Sequence, residues 1–180
     1  PKSDLFFKDL KTDGPARPLV EDIDARLFGA AIDNRLFVRT NWEASNGRIL
    51  EIDLKNPQRE NWREVIPQSD AVIEDFSLCG GKLFVNYLDN VKSRLRVFED
   101  NGTVVRDVEF PSLGTVSEVY GEWDSDEAFF AFSSFHIPST IYREKVSTGE
   151  RSVWARLDVP VDSDRFELKQ VFYTSKDGTR

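Results

Sequence analysis

The feature that most constrains the fold of this 180-residue chain is a repeat with a period of about 46 residues. An apolar segment with a central phenylalanine recurs three times, at intervals of 47 and 45 residues. The equivalent positions are Phe37, Phe84 and Phe129. Self-similarity at a fixed period of this size indicates a chain built from repeated supersecondary units that stack on one another.

Each unit contains about four short apolar segments separated by turn residues. In the first unit they read RLFVRTNW, GRILEIDL and WREVIP, and VIEDFSLCG leads into the second unit. Segments of this length that are rich in Phe, Val, Ile, Leu and Tyr are typical of β-strands. Prolines at positions 57, 67, 111, 138 and 160 interrupt any candidate helix. The repeat therefore predicts strands and no long helix.

Four antiparallel strands in a repeat of this length are typical of a β-propeller blade. We predict an all-β chain, a partial β-propeller of about three and a half four-stranded antiparallel blades. The predicted blades are a partial one at 1–20, followed by 21–67, 68–113 and 114–170. Such a fan leaves apolar blade faces uncovered, so we expect the native chain to continue in both directions.

The last ten residues, VFYTSKDGTR, predict a strand at 171–174 followed by a turn at KDGT. A turn of the Asp-Gly type normally joins two strands, and here the second strand is missing. We therefore interpret 171–180 as the beginning of a link into a further domain.

The net charge of −8 argues against nucleic acid and against an anionic membrane surface as partners. No apolar run approaches the roughly 20 residues of a membrane-spanning helix. We expect a protein that binds neither nucleic acid nor membrane. For its compartment we expect the cytoplasm, with the periplasm as the alternative.

Residues for catalysis are scarce. The chain has no G-x-S-x-G motif, and its lone histidine, His136, lies in a loop in SSFHIPST. Its lone cysteine, Cys79, stands among apolar residues and glycines, which predicts a buried structural thiol. One His and one Cys form no zinc ligand set. We therefore predict no catalytic residue, no metal site and no cofactor in this chain.

Two acidic stretches, 122–127 and 158–167, lack the glycine and the spaced final glutamate of a calcium-binding loop. We interpret both as solvated turns, although a glycosidase-type pair of carboxylates stays open at this point. SKDGT at 175–179 differs from the S-x-D-x-G Asp-box, because its glycine directly follows the aspartate. Asn101-Gly102 predicts a hairpin turn. The units also lack the Gly-His and Trp-Asp pairs of WD40 repeats.

Several segments together resemble the prolyl oligopeptidase family, over essentially the whole chain. They are LFVRTNWEASNGRILEIDLKNPQRENWREVIP, GKLFVNYLDNVKSRLRVFEDNG, FAFSSFHIPSTIYREKVSTGE and KQVFYTSKDGTR. They occur in the order found in the second half of that family's propeller. Dipeptidyl-peptidase relatives share the architecture but fit these segments less well.

The resemblance implies a seven-bladed propeller joined to an α/β-hydrolase domain that carries a Ser-Asp-His triad and cleaves short peptides after proline. The propeller caps the active site and excludes folded proteins, and its first and last blades share no strand. The partners implied are the hydrolase domain of the same chain and short proline-containing peptides. The triad would lie after Arg180, so the chain alone is expected to be inactive.

The loops at 40–47, 87–93 and 134–139 take equivalent places in the three units, and we expect them on one face. The leading interpretation is thus a non-catalytic gating segment of a serine peptidase. A stand-alone propeller that acts as a binding or scaffold module is the alternative, and a propeller glycosidase is a third.

Overall fold

The structure is a computed structural model that describes residues 3–160 and 162–179. Within these ranges, β-strands form four antiparallel sheets, one of two strands and three of four strands. The helical content of the same ranges is limited to short 3-10 turns at Arg59–Asn61 and Ser163–Arg165. No helix in this part of the chain is long and apolar enough to cross a membrane.

The sheets follow one another along the chain. The two-stranded sheet pairs β1 (Leu5–Phe7) with β2 (Arg17–Val20). The first full sheet contains β3 (Leu27–Ile32), β4 (Arg35–Thr40), β5 (Arg48–Asp53) and β6 (Arg63–Ile66). The second full sheet contains β7 (Val72–Cys79), β8 (Lys82–Asp89), β9 (Lys92–Glu99) and β10 (Val104–Asp107). The third full sheet contains β11 (Thr115–Val116), β12 (Glu127–Ser133), β13 (Thr140–Lys145) and β14 (Arg151–Arg156).

Each full sheet has its strands in sequence order, so every neighbour in space is a neighbour along the chain. The equivalent phenylalanines of the repeat lie on the second strand of their sheets. Phe37 on β4 and Phe84 on β8 are buried. The period of the sequence is therefore the period of the sheets.

The core consists of three apolar layers, and each layer lies between two successive sheets. The layer between the first and second full sheets joins Phe37 and Ile49 to Leu83 and Val85. Equivalent layers lie before the first full sheet and between the second and third. Side chains that alternate along a strand face opposite sides of the sheet, which lets one sheet contribute to two layers. The sheets thus stack face to face, as propeller blades do.

The fold class predicted from the sequence is confirmed: an all-β chain with the blades of a partial propeller. The third full sheet departs from the prediction in its first strand. The apolar stretch 114–122 forms only β11 and an isolated bridge between Tyr120 and Phe129. Gly121 there approaches the second full sheet closely, and the ladder is interrupted before it.

The predicted strand at 171–174 is wrong, whereas the turn after it is right. No described strand pairs with these four residues, and a β-strand requires a hydrogen-bonded neighbour. Gly178 has a positive φ of 85°, and the backbone N–H of Ser175 donates to the carbonyl of Thr179 at 2.7 Å. A turn needs only its own residues, so it forms without a partner strand.

Candidate functional site

The loops between the second and third strands lie at one end of the stack. In each full sheet this connection emerges at the same end as the exit from the fourth strand, because alternate strands run in the same direction. The connections are 41–47, 90–91 and 134–139. We refer to this end of the sheets as the loop face. The finding agrees with the expectation that these loops share one face.

Two cavities open on the loop face beside the second and third full sheets. The first has a volume of about 440 Å³, and its lining includes Val91, Leu113 and Phe135. The second has a volume of about 660 Å³, and its lining includes Pro111, His136 and Phe166. The cavities therefore lie between loops from successive units.

The chain that follows β14 returns across the loop face. The hydroxyl of Ser163 donates a hydrogen bond to the carbonyl of His136 at 2.6 Å. The side-chain amide of Gln170 donates to the carbonyl of Asn90. Leu168 lines both cavities. The described part of this segment, 157–160 and 162–170, is referred to as the return segment, and its residues 163–170 contribute one wall of the candidate site.

His136 and Cys79 have structural partners. His136 lies in the 134–139 loop, where its Nδ1 is 3.1 Å from the hydroxyl of Ser134. Cys79 is fully buried on β7 and donates to the carbonyl of Glu127 at 3.2 Å. Burial first, and then the nearby Glu122 and Glu144, raises the pKa of the Cys79 thiol to about 11. A thiol protonated at neutral pH is a poor nucleophile.

The two acidic stretches contain turn residues. In the first, Asp126 accepts hydrogen bonds from the backbone N–H and the hydroxyl of Ser147, both at 2.7 Å, and these bonds lower its pKa. Part of the second stretch, at Val161 and the side chain of Asp164, lies outside the described residues. In the described part, no three His, Cys, Asp or Glu side chains are grouped as a metal site would require.

A third, smaller cavity of about 210 Å³ lies beside the 41–47 loop and is lined by Arg26, Phe28 and Arg39. The guanidinium of Arg39 stacks on the Phe28 ring, 4.3 Å from its centroid, and donates to the carbonyl of Ile73 at 3.1 Å. Burial lowers the pKa of Arg39, with the acids Asp75 and Glu74 acting in the opposite direction. Arg39 is thus held by an aromatic ring and a backbone carbonyl, with acidic side chains nearby.

The sequence and the architecture are matched by a known protein family. Residues 2–156 match the family model described as the prolyl oligopeptidase N-terminal β-propeller domain. The chain belongs to the prolyl oligopeptidase family. The resemblance noted in the sequence is therefore confirmed for most of the chain.

Relatives in this family are several times longer than the chain. The prolyl endopeptidase of Elizabethkingia meningoseptica is 29% identical over 99% of this chain and 25% of its own length. That of Dictyostelium discoideum is 30% identical over 80% of this chain and 20% of its own length. The chain thus spans about a quarter or less of these curated prolyl oligopeptidases.

Solved structures show the same architecture. A prolyl endopeptidase structure matches this chain with a TM-score of 0.90 and 36% identity. It comes from a structural and mechanistic study of two prolyl endopeptidases that concerns the role of inter-domain dynamics in catalysis and specificity. The match includes 98% of this chain and 26% of the prolyl endopeptidase chain. Prolyl oligopeptidase B from Galerina marginata, bound to a 35mer substrate, matches over 98% of this chain with a TM-score of 0.84 and 25% identity.

Sequence reasoning identified the three loops of the loop face but missed one contact and one backbone conformation there. The Gln170–Asn90 hydrogen bond joins residues 80 positions apart, and no local pattern predicts it. The conformation of Val91 did leave a signal. Asn90-Val91 is a two-residue connection in which a glycine usually occupies the second place.

Proposed function

We propose that this chain is the propeller segment that controls access to the active site of a prolyl oligopeptidase-type serine peptidase. The peptidase cleaves short peptides after proline. The observation that carries the proposal is the match of residues 2–156 to the family's propeller domain, together with the stacked four-stranded sheets. Stacked blades form a rigid wall, and a rigid wall with a narrow opening excludes folded proteins by size.

In this proposal the chemistry belongs to another domain. An α/β-hydrolase domain beyond residues 171–180 carries the Ser-Asp-His triad, and the propeller itself hydrolyses nothing. Two observations support this division. The relatives extend well beyond the matched region. In addition, Cys79 is buried and protonated at neutral pH, so its thiol is unsuited to attack a peptide bond.

A comparison of the complete protein with residues 1–180 tests the proposal. We expect the complete protein to release the chromophore from a chromogenic peptide cleaved after proline. Purified 1–180 should release none under the same conditions. Cleavage by 1–180, or a complete protein that closes its ring with further blades and hydrolyses no prolyl peptide, would refute the assignment.

The gating part has its own test. The complete protein should cleave a short peptide rapidly and should cleave a folded protein that contains the same exposed prolyl bond far more slowly. Unfolding that protein and trimming it to short peptides should restore cleavage. Equal rates on the folded protein and on the short peptide would show that the propeller does not restrict access.

A further inference from the structure

The connection between β8 and β9 holds a valine in an unfavourable backbone conformation. Asn90 and Val91 have φ values of 49° and 61°, so both lie in the left-handed region. Such two-residue hairpin connections favour Asn-Gly, because glycine alone is free of the steric cost. A β-branched residue in this region is a strong outlier. Backbone strain of this kind is concentrated at functional positions.

The side chain of Val91 contributes little apolar burial to the described fold that would offset this backbone strain. It is 84% exposed, so it buries little apolar surface. Phe135, on the neighbouring 134–139 loop, is 97% exposed and lines the same 440 Å³ cavity. Glycine at position 91 and a polar residue at position 135 would each suit the described surface better. Both residues therefore fit a surface that is covered in the working protein.

The return segment indicates which part of the complete protein covers Val91 and Phe135. It passes beside Asn90, to which Gln170 is hydrogen-bonded, and Leu168 extends the apolar lining of the cavity. Lys92 and Lys169 also line the cavity, so the patch combines apolar and charged side chains, as protein interfaces do. The similar prolyl endopeptidase structure, of which this chain covers 26%, is described in terms of inter-domain dynamics.

We propose that Val91 and Phe135 are anchor residues that insert into a complementary apolar surface of the catalytic domain and hold the propeller closed against it. This rests on the function proposed above. The strain at Val91 then has a use, because the turn points an apolar side chain outward at a place where glycine would present none. Each anchor buries its side chain only in the closed arrangement, so both favour closure.

Two substitutions in the complete protein test the proposal. Val91→Asn keeps a residue that tolerates the left-handed region and removes the apolar anchor. Phe135→Ser removes the second anchor. We expect each to raise cleavage of a long peptide relative to a short peptide with the same prolyl bond. The expected rise is about tenfold for Val91→Asn, which corresponds to the loss of one buried valine side chain on closure, and at least as large for the bulkier Phe135.

The matched control is Val104→Asn. Val104 is 53% exposed and begins β10, at the opposite end of the same sheet from the loop face. This substitution should leave the ratio of long-peptide to short-peptide cleavage unchanged. An equal rise in the control would mean that loosening the sheet anywhere opens the protein, and would overturn the assignment of anchors to the loop face.

A second measurement does not depend on catalysis. In the complete protein, backbone hydrogen exchange in the 134–136 segment should become faster in Val91→Asn than in the unsubstituted protein, because the cover over this loop opens more often. Unchanged exchange together with an unchanged cleavage ratio refutes the anchors and leaves the peptidase assignment standing. A raised KM for short peptides at a constant ratio would instead make the patch a peptide-binding site, against the proposal. Failure of the peptidase assignment would appear separately, as a complete protein without prolyl cleavage.

Discussion

At the scale of single residues, the close approach of Gly121 to Cys79 shows why even a residue as small as alanine does not fit at position 121. A β-carbon at Gly121 would lie 2.1 Å from the Cys79 sulfur and 2.5 Å from the carbonyl oxygen of Glu127. The Cys79 thiol donates a hydrogen bond to that same carbonyl, so neither atom can move away from the added β-carbon without weakening this hydrogen bond. The absence of a side chain at position 121 allows the second and third full sheets to approach each other.

Gly121→Ala should therefore destabilise the propeller. We expect a loss of about 1–3 kcal/mol, the usual cost of overpacking a closely fitted contact. The thermal unfolding of the complete protein measures it, as a lower midpoint. Gly14→Ala is the matched control, because a β-carbon there would lie 3.6 Å from its nearest neighbour, an ordinary contact. A midpoint lowered equally by both substitutions would contradict the steric explanation.

At the scale of strands and sheets, ion pairs supplement the apolar layers between blades. Arg106 on β10 of the second full sheet donates to Glu144 on β13 of the third, at 2.7 Å, and also to the carbonyl of Val146. The Glu144 side chain is only 3% exposed. A buried carboxylate without a cationic partner is costly, so this pair fixes how the two sheets align.

Arg106→Ala should reduce the free energy of unfolding by more than the partial exposure of the Arg106 side chain suggests. We expect a loss of roughly 3–5 kcal/mol, because the substitution leaves Glu144 buried and unpaired. Arg143→Ala, which breaks the pair with Glu127 within the third full sheet, should cost under about 1 kcal/mol, since both of those side chains are more than 40% exposed. Thermal midpoints of the two variants in the complete protein provide the comparison.

The double variant Arg106→Ala, Glu144→Gln separates charge from packing. If the unpaired charge causes the loss, the neutral amide should recover part of it. Loss of the same size in the single and double variants would assign the effect of Arg106 to its packing against Val146 and Gly149 instead.

The sequence predicted the strands far better than the contacts between sheets. Phe37, Phe84 and Phe129 mark the second strand of each sheet because a strand's apolar pattern is local and the period repeats it. The Arg106–Glu144 pair joins residues 38 positions apart, and either side chain alone reads as a solvated charge. The predicted strand at 171–174 failed for a similar reason, because apolar composition does not reveal whether a neighbour is present. Local pattern therefore predicts elements, and their partners require the assembled fold.

At the scale of the whole molecule, the third full sheet has an uncovered face. Phe129, Ile141 and Trp154 lie on the side turned away from the second full sheet, since they alternate with the residues of the apolar layer. Trp154 is 60% exposed, and its ring contacts Phe129 edge to face at 5.5 Å. Among the described residues, the first and second full sheets each contribute to two apolar layers, one on either side, so the aromatic face of the third full sheet has the composition of an internal surface.

Residues 1–180 in isolation should therefore associate through this face. Sedimentation velocity over a range of concentrations should show species larger than a monomer, because exposed aromatic sheet faces favour stacking. Trp154→Lys places a charge at the centre of the face and should shift the distribution towards monomer. Leu10→Lys removes an equally apolar and 88% exposed side chain from a loop, and should leave the association unchanged. A monomeric chain with a single sharp unfolding transition would mean that the face tolerates water, and the stacked blades would then need no neighbour to be stable.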